Sequence, residues 1–284
     1  MEASTPPSSI AQALDSYKVA IAAKNQAVLK VIVETLTSLP APSNMTAEYA
    51  KAKRLDCLKH RLGTGITTFV SSPGDLLSAT ARAELVSRLE LDGVSHRPVD
   101  QEAREKWFAA IKEGIPKTGI EVDFTFPPPE LEEFCGLVSS IYGPGLPYWR
   151  EMTGFDLLAP ARRQEQIELT QQRAIVPLRD DDEVAEPTEI DYLWEEWNVS
   201  VAIKIGDGCS ISNGGSFALY CREAEAGEWK WRYAVHDGQW CSDVYETLEE
   251  YLEFYAHFGE QSEDRLSGLP NSRACSFVSK NLNT

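Results

Sequence analysis

The sequence predicts an α+β fold: an antiparallel or mixed sheet with flanking helices, preceded by an all-helical N-terminal region. Three observations predict it. Residues 198–235 contain three runs in which apolar and polar side chains alternate. An apolar stripe at helical spacing follows, over residues 244–258. The first third of the chain repeats apolar residues at helical spacing among alanines. Alternation with period two marks half-buried strands, whereas recurrence every three or four residues marks a helix face.

The elements follow in order. Ile10, Leu14, Tyr17, Ile21, Val28, Leu29, Ile32 and Leu36 predict a helix over 10–36, closed by Pro40 and Pro42. A second, basic helix spans 46–62 and carries Lys51, Lys53, Arg54, Lys59 and Arg61. Residues 63–73 read as a turn region with a short apolar piece. Further helices are expected near 76–91 and 101–115, the latter capped by Asp100. Residues 117–129 alternate through Ile120, Val122, Phe124 and Phe126 before three prolines stop them. A helix is expected over 130–142, with Leu131, Phe134, Leu137, Val138 and Ile141 as its stripe.

The three runs come next. In the first, Val199, Val201, Ile203 and Ile205 are expected on one face. Phe217, Leu219 and Cys221 share a face in the second. Trp229, Trp231, Tyr233 and Val235 share one in the third, with Lys230 and Arg232 opposite. One face would pack and the other meet solvent. Asp243-Val-Tyr-Glu246 has capping-box spacing and predicts the start of a last helix that ends at Gly259. The domain reading is a helical region over 1–116, an α+β domain over 117–263 with an acidic loop near 179–189, and a tail over 264–284.

Charge is the least uniform property. The chain carries a formal −17. Residues 180–263 hold 21 Asp/Glu against 4 Lys/Arg, whereas the remainder holds 23 of each. Such a stretch repels phosphate backbones, so nucleic acid is not an expected partner. It attracts and steers basic proteins. No apolar run approaches the ~20 residues of a membrane helix, and no membrane partner is expected. Residues 1–9 lack the pattern of a signal or transit peptide. A cytoplasmic or nuclear location is the expectation, with the six scattered cysteines reduced.

No motif announces a reaction. Cys57-x-x-His60 offers two metal ligands without a third or fourth, so no metal is expected. Gly206-Asp-Gly208 and Gly214-Gly215 match neither a dinucleotide fingerprint nor a phosphate loop, so no cofactor is expected. His236 and Asp237 are adjacent on an extended chain and point apart. They carry the alternative reading, a hydrolase or transferase using these two and nearby acids. His257, near a helix end, suits the helix dipole better than base chemistry. Trp194, Glu195, Glu196 and Trp197 pair indoles with carboxylates and read as an interface anchor. Asp207, Asp237 and Trp240 complete the expected partner-binding set. No residue is assigned a catalytic role.

The order of elements resembles the SUKH superfamily, which includes fungal cell-wall-synthesis regulators and bacterial immunity proteins against nuclease toxins. The resemblance rests on the 129–142 segment, Leu146-Pro147 with Tyr148 and Trp149 after it, Ile205-Gly206-Asp207-Gly208, Gly214-Gly215-Ser216-Phe217, Tyr233–Asp237 and Ser242–Phe258. It covers roughly residues 121–260. The insert around 160–190 and the N-terminal helices lie outside it. The resemblance implies a mixed sheet with flanking helices and a non-catalytic protein-binding module. A regulatory or immunity-like protein with a basic protein partner is the expectation it shares with the charge distribution. A scaffold whose N-terminal helices self-associate is a further reading.

Overall fold

The computed structural model of this chain describes residues 9–38, 40, 45–115, 124–146, 153–156, 174–175, 196–207, 215–223, 227–236 and 241–258, and among these described residues it forms six α-helices and six strands. The helices are α1 (Ser9–Ser38), α2 (Ala47–Leu62), α3 (Ala79–Leu89), α4 (Gln101–Gly114), α5 (Pro129–Leu137) and α6 (Leu248–Tyr255). The strands are β1 (Ser140–Tyr142), β2 (Thr153–Asp156), β3 (Ala174–Ile175), β4 (Trp197–Asp207), β5 (Gly215–Glu223) and β6 (Lys230–His236). The predicted α+β class with a helical N-terminal region is what forms. All observed strand pairings are antiparallel.

Two compact units interleave along the chain. One comprises residues 1–16, 94–142 and 151–255; the other comprises 17–93, 143–150 and 256–284. The second unit is helical. Leu29, Ile32, Val33 and Leu36 of α1 pack with Cys57, Leu58 and Leu62 of α2 and with Ala81 and Leu85 of α3. Helix starts follow the capping chemistry of the sequence. Thr46 accepts a hydrogen bond from the Tyr49 amide, and Ser78 accepts one from the Ala81 amide. Asn25 is fully buried here. Its Nδ2 donates to the Leu91 carbonyl at 2.9 Å, and its Oδ1 accepts from the Gly145 amide at 2.7 Å. One side chain thus satisfies two backbone groups from distant parts of the sequence.

The first unit holds both sheets: β1 with β2, and the order β3-β4-β5-β6. It also holds α4, started by Asp100, whose carboxylate accepts from the Ala103 amide. Trp107 and Phe108 of α4 are buried, and Phe108 meets Phe126 edge-on at 5.8 Å. An aromatic contact therefore ties α4 to the sheet-bearing unit, beyond the expected domain edge at residue 116. The residues immediately after that edge, and those of the 179–189 loop and the 264–284 tail, lie outside the described set.

Three expectations about the sheet and its helices are corrected. The helix expected over 130–142 ends at Leu137. Val138 is extended, at φ −147° and ψ 146°, and Ser140–Tyr142 form β1 against β2. The last helix starts at Leu248, not at Asp243. Thr247 accepts from the Glu250 amide, and Glu250 reaches back to the Glu246 amide. This is the Thr-x-x-Glu spacing of a capping box. Residues 241–245 instead run along the free edge of β6. The Tyr245 and Tyr233 backbones exchange hydrogen bonds, and the Ser242 amide donates to the Val235 carbonyl. The edge is thereby covered.

The third correction concerns alternation. Val199 pairs with Cys221 but Val201 pairs with Tyr220, so Ser200 is an extra residue on β4. This β-bulge turns Val199 to the opposite face from Val201 and Ile203. Nor does one sheet face stay wet in the middle: β5 is buried from Gly215 to Cys221 without interruption. One face packs Ala202, Phe217, Leu219, Cys221 and Ala234 together. On the other, Tyr233 and Ser216 meet Tyr251 of α6, the Ser216 and Tyr251 hydroxyls lying 2.6 Å apart. Both faces of a central strand are covered, as in a layered domain.

Candidate functional site

The candidate site is one end of the four-stranded sheet, where β4 starts, β5 ends and β6 starts. Trp197 pairs with Glu223 across β4 and β5. Trp197 is half-buried against the Leu219–Cys221 core, and the Arg232 guanidinium lies 4.6 Å from its ring centroid. Arg232 is buried although it occupies what the alternation marks as a solvent position. Its guanidinium is held by the backbone and by a carboxylate. Nη1 donates to the Cys221 carbonyl at 2.6 Å, and Nε donates to Glu246 at 2.7 Å. Glu246 also forms an ion pair with Lys230. Burial lifts the Glu246 carboxyl, but Lys230 and Arg232 outweigh it and hold the group below its ordinary value.

On the other face of this sheet end the aromatics gather. Trp229 stacks on Tyr220 at 5.8 Å, and Trp231 lies 5.4 Å from both Tyr220 and Phe124. Trp231 is oriented by its Nε1, which donates to the Thr125 carbonyl. Arg222 lies 5.1 Å from the Trp229 centroid. Trp229 and Trp231 remain half-buried, and the exposed Glu228 precedes Trp229. Glu196 and Glu223, also exposed, lie at the start of β4 and the end of β5, where Glu223 pairs with Trp197. Burial pushes the Tyr220 phenol up, and the nearby Glu228 charge adds to the shift.

The acidic excess continues into α6. Asp243, Glu249, Glu250 and Glu253 are exposed, and the chain has no Lys or Arg between Arg232 and Arg265. Glu249 and Glu253 are four apart on one helix, a like-charge spacing that weakens it by a few tenths of a kcal/mol.

The expected partner-binding residues do not form one cluster. Glu196 and Trp197 sit at the start of β4, whereas Asp207 sits at its far end, opposite Gly215. Ten residue steps along a strand separate them by about 30 Å. Trp194, Glu195, Asp237 and Trp240 lie outside the described residues. Arg232, Glu246, Glu223, Glu228 and Tyr220 were missed as members of this region. For Arg232 the alternation points to solvent, and only the register, which pairs it with Leu219 on a packed face, reveals its burial.

The groups of the alternative chemistry are placed in part. His236 is buried at the end of β6, opposite Gly215 on one side and Cys241 on the other. Burial pushes the Cys221 thiol up to about 12 and raises that of Cys241. These thiols stay protonated near neutral pH and are poor nucleophiles. Cys57, Cys135, Cys221 and Cys241 are reduced thiols. Among the described residues, no group of three His, Cys, Asp or Glu could hold a metal ion, and no helix is long and apolar enough to cross a membrane. No family model matches this chain, and no curated protein and no solved structure matches it either.

Proposed function

We propose that this chain is a non-catalytic, intracellular protein-interaction module that receives a basic protein partner on its acidic sheet-bearing part. One observation carries the reading. Residues 180–263 hold 21 acidic and 4 basic side chains. Of those four, Arg232 and Lys230 are tied to Glu246, and Arg222 lies over Trp229. The exposed carboxylates therefore set the sign of the field, which speeds encounter with a cationic surface. The resemblance to SUKH-type modules supports a regulatory or immunity-like role in the cytoplasm or nucleus. Half-buried indoles beside the carboxylates supply the type of anchor that dominates interface energies.

Affinity capture from the native cell, with the full chain as bait, tests this. The expected result is a basic protein that is retained and not chemically altered. Recovery of only acidic or neutral proteins, or covalent change of the captured protein by the chain, overturns the reading.

A further inference from the structure

We draw no further inference here: the strongest candidate, the exposed face of α1 that carries Val19, Ala23, Ala27 and Val31, is a stripe of small apolar side chains, and nothing in the structure shows what covers it.

Discussion

The Arg232 guanidinium lies 4.6 Å from the Trp197 ring centroid, and the same group reaches Glu246 at 2.7 Å. Through Arg232, the first residue of β4 is joined to the segment that covers the β6 edge. Only 5% of the Arg232 side chain is exposed, against 40% for Glu246. The two partners therefore differ in what their loss leaves behind.

Replacing Glu246 with Ala strands a buried cation. We expect a loss of about 1–3 kcal/mol in urea denaturation. Replacing both residues, as R232M/E246L, is expected to recover much of that loss, because no buried charge is left. A double variant less stable than E246A by the same measure would show that Arg232 contributes mainly through its stacking and carbonyl contacts.

The same pair carries a pH dependence. The folded Glu246 carboxyl lies below its ordinary 4.5. Its stabilising contribution is therefore complete above the unfolded value and is lost as pH falls through the folded one. Stability measured from pH 7 down to pH 3 is expected to fall less steeply in E246Q than in the wild type. Parallel curves for the two proteins would contradict this.

Asp75 offers a second acidic-range readout in the helical unit. The Ser72 hydroxyl, followed by the Ser71 amide, the Ser71 hydroxyl and the Ser72 amide, favours its charged form and lowers its pKa to about 2. The contribution is present above the ordinary 3.8 and lost as pH falls towards 2. The Ser71 and Ser72 amide resonances are expected to titrate with a midpoint near 2. A midpoint at 3.8 would mean that the capping contacts do not form in solution.

Gly215 is expected to tolerate no side chain. A Cβ there would stand 2.3 Å from the Gly206 carbonyl oxygen and 2.7 Å from Lys204 Cε. The lysine can move, but the backbone carbonyl is held by the β4–β5 ladder. Gly215→Ala should cost about 1–3 kcal/mol. Gly65→Ala, with nothing within 4 Å of the added carbon, should stay within about 0.5 kcal/mol. Equal thermal shifts for the two variants would refute the close approach.

Asn25 makes a sharper case in the helical unit. Asn25→Leu keeps the volume but orphans the buried Leu91 carbonyl and Gly145 amide. A loss of about 2–4 kcal/mol is expected, together with faster hydrogen exchange at the Gly145 amide. Unchanged exchange there would show that water replaces the side chain.

Local signals were legible in the sequence and long-range ones were not. Asp100 and Thr46 cap the helices they precede, because a cap is decided within a few residues. The three runs of residues 198–235 became β4, β5 and β6 within a residue or two. Val199 was placed on the wrong face because a bulge at Ser200 depends on how β5 pairs, and periodicity carries no trace of that. Thr247 was passed over for Asp243 because two capping-box spacings lie four residues apart. The choice fell to backbone pairing between Tyr245 and Tyr233. In the candidate site, Glu196 and Trp197 were found by composition alone. Glu223, Glu228 and Trp229 join them only through strand order.

We propose that the acidic sheet-bearing part holds a basic protein partner by charge and aromatic contact. The most direct test is the affinity of the full chain for its captured partner across a salt series, from about 50 to about 500 mM NaCl. Affinity is expected to fall by at least ~10-fold over that range, mostly from slower association. An affinity that stays constant across the series would contradict it.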